Sequence, residues 1–160
     1  MSHQEKQEKY RLLLEQLRSL TEGETDMVSK MANMAAAIHE TMGFFWTGFY
    51  VVRRLDAETG GQELRLGPFQ GSVACMHIGY GRGVCGTAWQ RRQTIVVDDV
   101  EQFPGHIACS SLSRSEIVVP VLDSGDNVTA VLDIDSRERC TFDDVDRLWL
   151  ERICRLLSEV

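Results

Sequence analysis

The sequence lacks any hydrophobic run long enough to cross a membrane, because no stretch approaches the roughly 20 apolar residues that a spanning helix needs. Residues 1–23 form a charged amphipathic pattern without the apolar centre of a signal peptide. No segment is polar or repetitive enough to indicate disorder. We therefore expect a chain that folds throughout, does not associate with membranes and lies in the cytoplasm.

A cluster of basic residues is also lacking. The 17 Lys and Arg residues are outnumbered by 24 Asp and Glu residues, which gives a net charge of -7, and the two signs are interleaved. Binding to phosphates needs clustered positive charge, so this pattern argues against a nucleic-acid partner. With 160 residues, the chain fits one ordinary domain.

The five cysteines include no Cys-x-x-Cys pair, and their odd number prevents complete pairing within one molecule. These features argue against a secreted disulfide framework. Cys140 precedes a predicted helix cap and Cys154 lies within a helical pattern, where a buried thiol usually acts as a small apolar residue. Cys75, Cys85 and Cys109 instead lie in glycine-rich or loop segments, where reactive thiols are found.

Two kinds of site could use these three cysteines. A zinc ion would be held by Cys75, Cys85 and Cys109 together with His77 or His106, but the closely spaced pair typical of zinc sites is missing. Thiol redox chemistry needs a cysteine with a lowered pKa and partial access to solvent. Three cysteines in one stretch favour the redox interpretation, and we predict no bound metal.

Apolar periodicity predicts helices at both ends of the chain. They cover residues 5–20 and about 25–42 at the N-terminal end, and residues 141–160 at the C-terminal end, where Thr141 followed by Asp144 is expected to form the cap. A short helix is predicted over 84–91. Strands rich in β-branched and aromatic residues are predicted at 44–52, 63–69, 72–78, 94–98, 115–122 and 128–134.

This order of elements predicts a single α+β domain with a largely antiparallel six-stranded sheet. Residues 1–42 supply the N-terminal helices, residues 44–135 the sheet and pocket loops, and residues 141–160 the C-terminal helix, with both sets of helices on one face. The long irregular segment 100–112 is expected to span the other face. That face is the expected place for an enclosed small-molecule pocket.

Three acidic residues lie at the ends of two predicted neighbouring strands. Glu116 opens one strand, and Asp133 and Asp135 end the next with the i, i+2 spacing that puts both on one sheet face. If the strands pair across the turn at 123–127, the three carboxyl groups form a cluster in which at least one pKa is raised. A neutral carboxyl can donate a proton and an ionised one can bind an ammonium group. A solvated strand end, or a Mg²⁺ or Ca²⁺ site, is the alternative.

Several long motifs, in this order, resemble those of the free methionine-R-sulfoxide reductases, whose fold is a GAF domain. They include WTGFY at 46–50, GRGVCGTA at 81–88, FPGHIAC at 103–109, SRSEIV at 113–118 and DIDS at 133–136. The resemblance extends from the first of these motifs to the last and is weak over residues 1–42. It therefore covers the predicted sheet and the loops around it.

The resemblance implies that the Cys109 thiolate attacks the sulfur of free methionine-R-sulfoxide and that the resulting sulfenic acid condenses with Cys75 or Cys85. Thioredoxin is implied as the external reductant, with no bound cofactor. In the family an acidic residue commonly follows the catalytic cysteine, whereas Ser110 follows it here. The alternative is a GAF module that binds a small ligand without catalysis, and a homodimer is one expected assembly.

The resemblance also assigns substrate-binding roles. Trp46 is expected to hold the methyl-sulfur end of the substrate and to exclude water. Glu116 and Asp135 are expected to hold the sulfoxide oxygen, with one of them as the proton donor, and Asp133 is expected to bind the ammonium group. These residues, with Cys109, Cys75 and Cys85, make up the predicted site.

Overall fold

A computed structural model of the chain describes residues 1–56, 58, 60–107 and 109–158. Residues 159 and 160 of the predicted C-terminal segment and residue 108 of the FPGHIAC motif lie outside the described residues. The elements in chain order are α1 (His3–Thr21), α2 (Met27–Met42), β1 (Trp46–Arg54), β2 (Gln62–Gln70), β3 (His77–Gly79), α3 (Gly83–Arg91), β4 (Ile95–Val97), a 3-10 turn (Val100–Gln102), β5 (Ser115–Leu122), β6 (Val128–Ser136) and α4 (Asp144–Arg155).

Six strands form one sheet in the order β3-β2-β1-β6-β5-β4, and each neighbouring pair is antiparallel. Strand β1 lies in the interior of the sheet and carries the nearly continuous apolar run of the sequence, so that Trp46, Phe49 and Tyr50 are all buried. The predicted α+β class and the predominantly antiparallel sheet are therefore confirmed.

The two faces of the sheet are covered differently. Helices α1, α2 and α4 pack on one face, where Leu17, Ile38 and Leu150 meet Phe49 and Leu132 of the central strands. This arrangement confirms the prediction that the terminal helices share a face. The opposite face carries α3 and a second apolar cluster that includes Trp46, Tyr50, Val84, Trp89 and Val131. Among the described residues, no helix has the length and hydropathy needed to cross a membrane.

The cap of α4 differs from the prediction. The N-cap is Asp143, whose side chain accepts hydrogen bonds from the backbone N–H groups of Val145 and Asp146, and the Asp146 side chain accepts in return from the backbone of Asp143. Thr141 instead donates its hydroxyl to Ser136 at 2.6 Å. The prediction was wrong because Asp143 and Asp146 form a complete reciprocal capping box.

The third strand is shorter than predicted. Only His77–Gly79 form the strand that pairs with β2, and preceding Met76 still accepts a backbone hydrogen bond from the N–H of Leu66 at 3.0 Å. Two side chains of β1 hold the residues before this strand: the Trp46 indole N–H donates to the carbonyl of Ser72 at 2.9 Å, and the Tyr50 hydroxyl donates to the carbonyl of Cys75 at 2.8 Å. Residues 72–76 therefore form a loop at the rim of the sheet.

Candidate active site

The three predicted acids meet at one end of the sheet. Glu116 on β5 pairs directly with Asp135 on β6, and Val118 pairs with Asp133, so that all three carboxyl groups emerge on the same face. Glu116 is 5% exposed and Asp133 is 7% exposed. The pairing across the β5–β6 hairpin thus produces the carboxylate cluster that the sequence predicted.

Burial of these acids favours their neutral forms. Burial, together with the nearby Asp135, raises the pKa of Glu116 from 4.5 to about 8. Burial also raises the pKa of Asp133 well above its usual range, and neighbouring Glu116 adds to this effect. The pKa of Asp135 is raised in the same way by burial and by the charge of Asp133. At neutral pH the cluster therefore holds protons that it can donate.

One oxygen of the cluster is left without a partner. Oδ1 of Asp133 is buried and accepts no hydrogen bond within the described part of the chain. An unsatisfied buried carboxyl oxygen is costly, so it marks a position at which a ligand donor would be stabilised.

A disulfide joins Cys75 to Cys109, with their Cα atoms 5.6 Å apart. Cys75 belongs to the 72–76 loop that Trp46 and Tyr50 hold, and Cys109 belongs to the irregular segment before β5. Cys109 is exposed, whereas Cys75 is partly buried. Because the two sulfurs are bonded to each other, the zinc set that would include both cysteines is not assembled.

Cys85, the third predicted redox cysteine, is a buried free thiol near the beginning of α3. Burial raises its pKa well above the usual range, and the nearby Asp133, Glu116 and Asp135 add to the effect. The thiol also shares a side-chain hydrogen bond with Asp133. Cys85 is thus a neutral polar group in the acid cluster. Cys140 is an exposed free thiol and Cys154 a buried one.

Aromatic side chains line the same site as the acids. The Trp46 ring stacks on Phe69 with centroids 5.3 Å apart and on Tyr50 at 6.0 Å. Two glycines make room for this ring, because a Cβ atom at Gly48 would lie 2.6 Å from it and a Cβ atom at Gly71 would lie 2.6 Å from it as well. The position of the indole thus depends on side chains being absent at both sites.

These groups surround one cavity of about 560 Å³, its open mouth included. The lining combines an aromatic wall with convergent polar groups, as in small-molecule sites. Cys109 lies at the cavity together with the acids and Cys85. The cavity therefore brings the Cys109 sulfur next to carboxyl groups that hold protons.

Comparison with known proteins places this geometry in a family. A GAF-domain family model matches residues 21–160. The chain is 51% identical to GAF domain-containing protein A of Dictyostelium discoideum, covering 96% of this chain and 92% of that protein. It is 41% identical to the free methionine-R-sulfoxide reductase of Escherichia coli, covering 97% of this chain and 90% of that enzyme. The chain belongs to the free methionine-R-sulfoxide reductase family.

A solved structure agrees with this placement. The free methionine-R-sulfoxide reductase from Neisseria meningitidis, in complex with its substrate, has a TM-score of 0.85 and is 49% identical, covering 94% of this chain and 86% of that one. In the present member of the reductase family, the cavity is lined by most of the residues that the sequence singled out: Trp46, Cys85, Cys109, Glu116, Asp133 and Asp135. Cys75, the remaining one, is bonded to Cys109.

Three further residues at the site, His106, Ser113 and Tyr50, received no catalytic role from the sequence. His106, considered only as a zinc ligand, places its Nε2 atom 3.6 Å from Oε2 of Glu116. Ser113 forms a side-chain hydrogen bond with Asp135, and Tyr50 anchors the loop of Cys75. All three residues lie within the motifs that carried the resemblance, which was the one signal available for them.

The donor atoms of Cys85, Glu116 and Asp133 all lie within 4.8 Å of one another, a spacing that could hold a metal ion. This set shares only Cys85 with the zinc alternative drawn from the sequence. Its two carboxyl groups, of Glu116 and Asp133, are among those to which the resemblance assigns substrate binding.

Proposed function

We propose that the protein reduces free methionine-R-sulfoxide to methionine, with Cys109 as the nucleophile. One observation carries this proposal: the disulfide between Cys75 and Cys109 lies at a cavity whose wall holds two buried carboxyl groups, of Glu116 and Asp133, and the half-buried carboxyl group of Asp135. Reduction of a sulfoxide requires both a thiol and a proton, and this cavity provides the two side by side. The substrate named for the Neisseria meningitidis relative supports the same reaction.

In the first step, the Cys109 thiolate attacks the sulfoxide sulfur while Glu116 donates its proton to the sulfoxide oxygen. The substrate S–O bond breaks, the hydroxyl passes to the Cys109 sulfur as a sulfenic acid, and methionine leaves. The substrate sulfur is reduced by two electrons and the Cys109 sulfur is oxidised by two. Glu116 suits the role of donor because its pKa of about 8 keeps it protonated at neutral pH.

In the second step, the Cys75 thiol attacks the Cys109 sulfur, and the sulfenic hydroxyl leaves as water with the proton of that thiol. The product is the Cys75–Cys109 disulfide, and this supports Cys75 over Cys85 as the resolving cysteine. Cys85 is buried with a raised pKa, which makes it a poor nucleophile. Thioredoxin would then reduce the disulfide, and no bound cofactor is required.

Binding of the free amino acid follows from the remaining groups. Oδ1 of Asp133 has no partner among the described residues and would accept a hydrogen bond from the substrate ammonium group, whose charge would return Asp133 to its ionised form. Asp135 would hold the sulfoxide oxygen with Glu116, and the Trp46 face would contact the methyl group. An internal residue of a protein has no ammonium group, so the proposal excludes internal methionine sulfoxide residues and favours the free amino acid.

The test is oxidation of NADPH coupled through thioredoxin reductase and thioredoxin, with each epimer of free methionine sulfoxide. We expect turnover of the R epimer alone, none after Cys109→Ser, and release of one methionine per protein without steady turnover after Cys75→Ser. Cys140→Ser, which removes an exposed thiol outside the cavity, is the matched control and should retain activity. Absence of R-epimer turnover, or full activity in Cys109→Ser, would overturn the proposal.

A further inference from the structure

His106 lines the cavity together with the proposed nucleophile and the proposed proton donor. Its Nε2 atom is 3.6 Å from Oε2 of Glu116, and the two side chains are 15% and 7% exposed. It precedes Cys109 by three residues in the same irregular segment. His106 therefore links the strand that carries the acid to the segment that carries the thiol.

Short-range backbone hydrogen bonds involve both His106 and Cys109. The N–H of His106 donates to the carbonyl of Phe103 at 3.2 Å, and the N–H of Cys109 donates to the carbonyl of Ile107 at 3.1 Å. Ile107 packs closely on Gly83 at the start of α3, because a Cβ atom on that glycine would lie 3.0 Å from it. His106 and Cys109 thus belong to one short segment that has contacts with Phe103 and with the start of α3.

We propose that His106 is a positioning residue that aligns Cys109 and Glu116 on the two atoms of one sulfoxide group. This inference rests on the proposed reduction of methionine-R-sulfoxide. The thiolate must reach the sulfur while the acid reaches the adjoining oxygen, so both must be placed within a fraction of an ångström. A contact between His106, in the segment of Cys109, and Glu116 would fix the position of the thiol relative to the acid.

The chemistry of the imidazole suits this role. Burial lowers the pKa of His106, so the ring is neutral at neutral pH and can donate one N–H. An N–H on Nε2 directed at Oε2 of Glu116 leaves the acid proton for the other carboxyl oxygen. The 3.6 Å separation exceeds hydrogen-bond distance in the disulfide form, and reduction of Cys109 removes the constraint three residues away. Catalytic contacts commonly shorten only when substrate is bound.

Three substitutions at His106 separate this contact from other effects. Glutamine places its amide nitrogen near the position of Nε2, asparagine places its amide nitrogen near that of Nδ1, and alanine has neither. His77→Asn is the matched control, because the Nδ1 atom of this 57% exposed side chain lies 2.8 Å from a carboxyl oxygen of Glu63, outside the cavity.

Two rates are measured for each variant. The first is single-turnover release of methionine from the reduced protein at saturating R-sulfoxide, which needs both the thiol and the acid. The second is alkylation of Cys109 by iodoacetamide, followed by peptide mass spectrometry, which needs only the thiol. A purely structural role in the loop would change both rates, whereas loss of alignment would change the first alone.

We expect His106→Ala and His106→Asn to lower the single-turnover rate by roughly 10- to 100-fold with alkylation unchanged, the loss typical of a misplaced reacting group. His106→Gln should stay within about threefold of the unmodified protein, and KM should change less than the rate. The inference fails if alanine leaves the single-turnover rate intact, if glutamine is as slow as alanine, or if alkylation falls in parallel. Failure of the unmodified protein to release methionine would instead refute the proposed function.

Discussion

Glu116 on β5 lies directly opposite Asp135 on β6. Two carboxyl groups that would repel each other when ionised therefore lie side by side at one end of the sheet. Asp133 adds a third on the same face. Burial and this proximity raise the pKa of Glu116 to about 8. The arrangement is unfavourable for charged carboxylates and favourable for acids that must hold a proton at neutral pH.

The pH dependence of the first turnover follows from this pKa. Glu116 is protonated below a pH of about 8 and loses its proton above it, so donation to the sulfoxide should decline as the pH rises through about 8. Formation of the Cys109 thiolate has the opposite pH dependence. The methionine release rate divided by the Cys109 alkylation rate at each pH isolates the acid, and this ratio should fall.

Replacement of the acid provides the matching control for that pH profile. Glu116→Gln keeps the size of the side chain but has no acidic proton, so the first turnover should slow by about 10²- to 10⁴-fold and the fall near pH 8 should vanish. A ratio that stays level through pH 8 in the unmodified protein would exclude Glu116 as the donor.

The same raised pKa should make stability depend on pH. Between pH 4.5 and about 8, the folded protein keeps a proton on Glu116 that the unfolded chain releases, so the free energy of unfolding should fall as the pH rises across this window. Glu116→Gln should remove that contribution and raise the free energy of unfolding at pH 8 by up to about 4 kcal/mol, with little change near pH 4.5.

Urea denaturation at pH 5 and pH 8 measures this effect. Glu15→Gln, on the exposed side of α1, is the control and should leave the pH slope unchanged. A glutamine variant of Glu116 whose stability declines with pH as steeply as that of the unmodified protein would contradict the assignment of the raised pKa to this residue.

The meeting of the acids could be predicted from the sequence because one short turn determines it. The Asp123 side chain accepts hydrogen bonds from the backbone N–H groups of Gly125 and Asn127, which closes a tight hairpin and sets the register of β5 and β6. The i, i+2 spacing of Asp133 and Asp135 then assigns their face. Local turn chemistry and strand periodicity are properties that a sequence displays directly.

The pairing of the cysteines could not be predicted in this way. Cys75 and Cys109 are 34 residues apart, in segments without regular secondary structure. Their approach depends on hydrogen bonds from two aromatic side chains of β1 to the 72–76 loop, and neither periodicity nor spacing indicates such long-range contacts. The sequence therefore left Cys75 and Cys85 as equal candidates for the resolving cysteine.

The hydroxyl of Tyr50 should control the second chemical step. Tyr50→Phe keeps the ring in the aromatic wall but removes the 2.8 Å hydrogen bond to the carbonyl of Cys75, so the loop of the resolving cysteine should become less ordered. We expect disulfide formation after the first turnover to slow by roughly 3- to 10-fold, with a stability loss of about 1 kcal/mol.

Rapid-quench trapping of free thiols follows disulfide formation directly. Tyr80→Phe is the matched control, since Tyr80 is 57% exposed and packs edge-on against Trp89, away from the Cys75 loop. The interpretation fails if Tyr50→Phe slows methionine release and leaves the subsequent loss of thiols unchanged.

The contact between the two ends of the chain depends on a buried charge. Asp146 of α4 is 1% exposed at its side chain and accepts hydrogen bonds from Nζ of Lys6 at 2.8 Å and from the Tyr10 hydroxyl at 2.6 Å. Lys6→Met keeps an unbranched side chain of similar length but leaves the carboxylate without its cation. Because a buried charge without a counter-ion is costly, we expect a loss of about 3–5 kcal/mol in the free energy of unfolding.

Arg11→Met provides the contrast on the same helix. Arg11 pairs with Glu8 and Glu15, but all three side chains are about half exposed or more, so this substitution should cost less than about 1 kcal/mol. Lys6→Met with Asp146→Asn should recover most of the loss, because the pair of changes removes the buried carboxylate together with its cation and leaves only the partly exposed Asp143 without Lys6. Equal losses in Lys6→Met and Arg11→Met would show that burial of Asp146 contributes little to the strength of the contact between α1 and α4.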